Sequence, residues 1–328
     1  MNHRGSAACA KLKGVNTLRL CFATDIHGSD VCFRKFVNAG KFYQADVLIL
    51  GGDTTGKMLV FLVDQEDGTF LTTYNTEQGE LIREGSDLDE FEKQVHNAGY
   101  YTLRVSKSRM RELNANQTSI ERAFMEVMLE TTQRWMDLAE ERLQGTDIRC
   151  VIAPGNDDHL EIDEVIKVSK RIEYGEGRIV RLGDYELLSC GWTNPTPWDT
   201  PRECSEDALA ERLEALGQLL QNPRNAIFNL HAPPYNTCLD DAPELTENLR
   251  MVASGATKAV GSTAVRDFIK KYQPMLSLHG HIHEAKGECK VGRTTCINPG
   301  SAYGEGVLQA FLADIEHGSV RSHLMVTG

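Results

Sequence analysis

Residues 48–57, LILGGDTTGK, decide how this chain is read. Gly51 through Lys57 match the opening of a phosphate-cradling loop, G-x-x-x-x-G-K, behind an apolar run that can serve as its strand. Such a loop next needs Ser or Thr to hold Mg²⁺, and Met58 stands there instead. The competing reading puts the chemistry on Asp53, a carboxylate delivered by a strand end, with Gly51 and Gly52 letting the backbone pass close to what it binds. Lys57 then reads as a solvated loop residue. The rest of the chain favours Asp53.

Five short apolar runs each lead to a polar residue able to bind a metal: Leu18–Thr24 to Asp25, Ala45–Leu50 to Asp53, Ile148–Ala153 to Asn156, Ala226–Leu230 to His231 and Met275–Leu278 to His281. Short branched runs bounded by Gly or Pro predict buried strands. Ligands gathered at strand ends are how a site at the edge of an α/β sheet looks in sequence. In chain order the strand ends carry D-x-H (Asp25, His27), G-G-D (Asp53), G-N-D-D (Asn156, Asp157, Asp158), H-A-P-P (His231) and G-H-I-H (His281, His283).

This ordered set resembles the calcineurin-like metallophosphoesterase superfamily, and the G-N-D-D motif and a Pro-dense loop are similar to its cyclic-nucleotide-phosphodiesterase-like prokaryotic branch. The resemblance runs from residue 25 to residue 283. It implies an α/β fold, a four-layer αββα sandwich of two mixed β-sheets flanked by helices. It also implies a dinuclear enzyme that hydrolyses a phosphodiester or phosphomonoester by attack of a metal-bridging hydroxide. In that scheme Asp53 bridges two divalent ions, Asp25, His27 and His283 complete the first site, and Asn156, His231 and His281 complete the second. Asn156 would also touch substrate and help stabilise the transition state. A ligand set of oxygen and imidazole without thiolate suits Mn²⁺ first, with Fe or Zn²⁺ as alternatives.

Asp157 departs from the pattern, since much of the superfamily carries a phosphate-contacting His there. An ordinary Asp, with a pKa near ~3.9, is a poor proton donor and repels phosphate. Either Asp157 turns away and His159 or water supplies the proton, or the substrates have good leaving groups. Arg202 and Trp198, in the Pro-dense stretch Thr193–Arg202, are candidate substrate contacts, with packing of that loop on the core as the alternative.

Between Asp53 and Asn156 the sequence predicts a hairpin around Asp67-Gly68 and a helix over 118–143, started by a Thr118/Glu121 capping box and stopped at Gly145, its apolar stripe facing the sheet. Helices are also expected over 209–220 and 262–272, and a tight turn at 298–301. No linker flanks residues 57–145, so they read as an elaboration on a single domain spanning 1–328. His279 reads as a buried strand-end residue, and His3, His96, His317 and His323 as surface residues.

A net charge of −12 disfavours an extended nucleic-acid track, which must neutralise phosphates with Lys and Arg. A small phosphate ester is the expected partner, its charge met locally by metal ions. The N-terminal stretch lacks the apolar core of a secretory signal, and no apolar run is long enough to span a membrane. Nine cysteines without a C-x-x-C pair read as reduced thiols in the cytoplasm. Two other functions are weighed: a metal-stabilised interaction scaffold of the same fold, and a nuclease.

Overall fold

Each of the five apolar runs forms a strand, and the computed structural model describes residues 17–244, 246, 248 and 255–328. His3, Cys9 and most of the N-terminal stretch lie outside the described residues. Val47–Leu50 is buried at all four positions, as befits an inner strand covered on both faces. It pairs in parallel with Leu18–Ala23 on one side and Arg149–Ile152 on the other. The first sheet, edge to edge, runs Ser319–Thr327, Gln309–Glu316, Leu18–Ala23, Val47–Leu50, Arg149–Ile152 and Ile172–Tyr174. A second six-stranded sheet runs Gly287–Val291, Thr294–Asn298, Leu276–Leu278, Ala226–Leu230, Tyr185–Cys190 and Arg178–Leu182.

The two sheets stack through one apolar layer, with Leu20, Phe22, Ile49 and Phe311 of the first against Leu187, Ile227, Leu276 and Ile297 of the second. Burial of each such side chain is worth about 1.5–3 kcal/mol. Helices Asp30–Phe42, Gln117–Leu143 and Ile162–Lys167 cover the outer face of the first sheet, and Glu206–Gly217 and Thr263–Tyr272 that of the second. The result is the four-layer αββα arrangement. All five motif-bearing strands belong to parallel pairs, so their C-terminal ends emerge along one edge of the sandwich.

The 57–145 region is richer than its sequence pattern suggests. Leu59–Asp64 and Thr69–Thr72 form the expected hairpin, and Glu80–Arg83 and Tyr101–Val105 extend it to a four-stranded sheet. Helices Ser86–Asn97 and Lys107–Asn114 precede the long one. That helix begins at Gln117, with the Asn116 side chain accepting from the Thr118 amide at 3.0 Å, so the expected capping box is replaced by an Asn cap. Its apolar stripe packs inward: Trp135 stacks on Phe33 at 4.5 Å and donates to Asp30 at 2.6 Å. The helix expected over 209–220 spans Glu206–Gly217, because its acidic first turn carries no apolar periodicity but complements the helix dipole. His96 is half-buried against Thr102, 2.8 Å away, rather than on the surface.

Candidate metal centre

Bringing several polar side chains together from strand ends requires the chain to turn sharply, and four of the motif residues do so in the left-handed region: Asp25 (φ 53°), His27 (φ 39°), Asp53 (φ 48°) and His281 (φ 69°). Non-glycine residues there cost of order 1–3 kcal/mol each, and such strain persists where a site over-determines it. The loops are zipped together by backbone bonds, Asp25 N to Gly52 O and His27 N to Asp53 O, both 2.9 Å. Two glycines make the approach possible. A Cβ on Gly52 (φ 127°) would stand 2.3 Å from His231 Nδ1, and one on Gly155 would stand 2.3 Å from Asp53 Oδ1. Gly52 therefore serves the approach of His231.

Two triads converge, Asp25–His27–His283 and Asp53–His231–His281, and Asp157 gathers with His27 and Asp53 in a third group that overlaps both. Asp25 Oδ1 lies 3.4 Å from His283 Nε2 and 3.8 Å from His231 Nε2; Asp53 Oδ1 lies 3.3 Å from His231 Nε2, and its Oδ2 3.6 Å from His27 Nε2. These separations are long for hydrogen bonds but suit atoms sharing a cation at about 2.0–2.2 Å. Some of the donor atoms bond within the cluster, as His27 Nε2 does to His283 Nε2 at 2.9 Å. His231 Nε2 and Asn156 Oδ1 are buried without a hydrogen-bond partner. The carbonyl of Gly51, 3.2 Å from His231 Nδ1, can only accept, which puts a proton on Nδ1 and turns Nε2 to the centre. Asn156 Nδ2 donates to Thr200 Oγ1 at 2.9 Å, which likewise leaves its carbonyl oxygen for a cation. These residues could hold metal ions.

Burial opposes charge on Asp25, but the imidazoles of His283 and His231 outweigh it and hold the carboxyl down at about 2. Burial drives His27 down to about 3 and His281 to about 4. Burial also opposes a proton on His231, yet Asp53 and Asp25 lift it to about 10. Protonated at both nitrogens, His231 would offset the charge of these two carboxylates. Because the folded value exceeds the ordinary 6.5, this contribution to stability is complete below pH 6.5 and is lost as pH rises through about 10. A metal ion bound at Nε2 would displace that proton. Metal uptake near pH 7 should release about one proton, read from calorimetry in buffers of different ionisation heat. Uptake without release would contradict this reading.

Asp158, fully buried, staples together the loops that carry Asp53 and Asn156. Its carboxylate accepts from the amides of Thr54 (3.0 Å), Thr55 (2.8 Å) and Gly155 (2.8 Å) and from Thr55 Oγ1 (2.6 Å). Arg202 departs from its expected role as a substrate contact. It is 1% exposed, donates to the carbonyls of Asp158 (2.8 Å) and His159 (3.1 Å), and pairs with Asp163 at 2.6 Å. Its guanidinium holds the Asn156 loop from behind. His159 is also not where a proton donor is needed: its ring lies 6.1 Å from that of Phe124, and it does not line the cavity over the triads. His279 is buried, with Nδ1 2.8 Å from the Leu230 carbonyl, and residues 298–301 turn tightly at Gly300 (φ 74°).

Asp157 does not turn away. Its amide donates to Asp53 Oδ1 at 3.0 Å and its carboxylate stands 3.8 Å from His27 Nδ1. Burial and the charge of Asp53 raise its pKa to about 7, against the pull of Lys57. Lys57, read from sequence as a solvated loop residue, forms an ion pair with Asp157 and lines the same cavity as Asp53, Asn156, His281 and His283. No sequence pattern pairs the two; only the fold does. The cavity measures about 1290 Å³, and its outer wall is Asn194 to Trp198 and the strands around Pro243 and Lys258. Trp198 is 61% exposed on this wall.

No family model matches the chain. An uncharacterised protein of Methanocaldococcus jannaschii is 30% identical over 156 residues, which are 47% of this chain. The chain spans 63% of the length of that curated relative. Among solved structures, one crystal structure aligns with 95% of this chain and 98% of its own at 17% identity and TM-score 0.57. A protein of Thermus thermophilus aligns with 95% of this chain and 98% of its own at 15% identity and TM-score 0.52. At these identities the likeness is one of fold. Among the described residues no helix is long and apolar enough to cross a membrane.

Proposed function

We propose that this protein is a metal-dependent hydrolase of phosphoric esters, acting on a small phosphodiester or phosphomonoester with two divalent cations. One observation carries the reading: Asp and His triads, with the buried and unpartnered His231 Nε2 and Asn156 Oδ1 among and beside them, meet at the floor of a cavity larger than the about 300–1,000 Å³ typical of small-molecule sites. When bound, the cations would neutralise phosphoryl oxygens and lower the pKa of water, the chemistry that phosphoester hydrolysis requires. The chain's own residues supply the geometry. Asp53 faces histidines of both triads and is suited to join the two sites. Asn156, fixed by Thr200, presents its amide oxygen beside them. Donors of oxygen and imidazole favour Mn²⁺ first, then Fe or Zn²⁺.

Among the described residues lining the cavity the lysines are Lys57 and Lys258, with no arginine. That is a poor track for a nucleic-acid backbone, and it favours a small ester over a nuclease substrate. Eight free thiols among the described residues support placement in the reducing cytoplasm. The test is hydrolysis of bis-p-nitrophenyl phosphate by the purified protein, stripped with chelator and reloaded with Mn²⁺, Fe²⁺ or Zn²⁺. Turnover that vanishes on stripping and returns on reloading supports the proposal. A fully loaded protein inactive on this and a panel of monoesters would leave the scaffold reading in its place.

A further inference from the structure

Resting on the hydrolase reading, the structure points to one more member of the site. We propose that Lys57 binds the phosphoryl oxygens of the substrate, and that Asp157 is the positioning residue that holds its ammonium over the cavity floor. The cavity must admit an anion, yet Asp157 presents a carboxylate to it, 13% exposed and 3.8 Å from His27 Nδ1. Unneutralised, that charge would repel a phosphate oxygen. Lys57 neutralises it directly, and an ammonium carries three donors, so two remain after the bond to Asp157. Its side chain is 51% exposed, so those donors stay accessible.

The platform beneath Lys57 is fixed. The amides of Thr54 and Thr55 are held by Asp158, and the Gly56 amide donates to Tyr101 Oη at 2.7 Å. Tyr101 begins an edge strand of the four-stranded sheet, which pairs with Leu59–Asp64 shortly after Lys57. The 57–145 elaboration therefore sets where Lys57 stands. With a single lysine beside the triads and no arginine among the described lining residues, the site suits a lone phosphoryl group rather than a polyphosphate chain.

The experiment compares wild type, Lys57→Met, Lys57→Arg and Asp157→Asn, each loaded with Mn²⁺, with metal content measured by atomic emission. Two readouts are taken: binding of inorganic phosphate by calorimetry, and KM and kcat on bis-p-nitrophenyl phosphate. Loss of one charge-assisted contact should weaken phosphate binding in Lys57→Met by about 10- to 100-fold at unchanged metal content. Lys57→Arg should recover most of it, and Asp157→Asn should lose less than Lys57→Met. Wild-type phosphate affinity in Lys57→Met would overturn the assignment. So would loss of metal in that variant, because the lysine would then serve the cations. If the wild type hydrolyses nothing but binds phosphate through Lys57, the anion site stands and the hydrolase reading falls; if hydrolysis is intact and indifferent to Lys57, only this inference falls.

Discussion

Asp53→Asn should abolish metal-dependent turnover, by about 10²–10³-fold or more, while leaving the fold in place. Asp53 faces His231 through Oδ1 at 3.3 Å and His27 through Oδ2 at 3.6 Å, so it is the carboxylate common to both sides of the centre. Asn keeps the shape and an oxygen able to accept the Asp157 amide, now 3.0 Å from Oδ1. What it removes is the negative charge and one of the two ligand oxygens. The charge matters most, because the lowered pKa values of Asp25 and Asp53 both reflect a fold that keeps two carboxylates ionised in a buried place. Metal stoichiometry should drop in parallel with turnover, while circular dichroism stays that of the wild type. A variant that binds wild-type metal and turns over at wild-type rate would remove Asp53 from the centre.

The strand ends are legible in sequence for a physical reason. Buried inner strands need unbroken apolar runs, and a ligand at their end must be polar, so Val47–Leu50 followed by Gly51-Gly52-Asp53 announces itself. The two faces of the sandwich follow from the same runs. What sequence misses depends on contacts between distant loops. Lys57 is 51% exposed, as its sequence reading has it, but its partner, Asp157, reaches it only through the folded edge. Arg202 reads as a substrate contact because a charge in a loop usually faces water; here Asp163 and two carbonyls satisfy it inside. His159 is an alternative donor by proximity in sequence, yet the turn after Asn156 sends its ring to Phe124. The strands Glu80–Arg83 and Tyr101–Val105 carry too few buried positions to stand out from their surroundings.

Arg202→Met should unfold the protein more readily, by about 1–3 kcal/mol, because it removes the ion pair with the half-buried Asp163, which keeps only the Tyr174 hydroxyl at 2.6 Å, and leaves the carbonyls of Asp158 and His159 without the guanidinium. Met fills much of the stem's volume, which confines the loss to the guanidinium contacts. The effect should reach the metals. Arg202 braces the segment that follows Asn156 through the Asp158 and His159 carbonyls, while the bond from its own amide to the Asn156 carbonyl, 3.1 Å, survives in the variant. Metal affinity should therefore weaken by about 10- to 100-fold, the usual cost of removing a group that supports ligands without touching the ion. A bracing role and a substrate contact predict different kinetics. With saturating metal restored, a brace leaves KM near the wild-type value, whereas a direct contact raises it. Urea unfolding, a metal titration and KM measured at saturating Mn²⁺ distinguish the two: wild-type stability with a raised KM would return Arg202 to the substrate, and lost stability with KM unchanged keeps it behind the Asn156 loop.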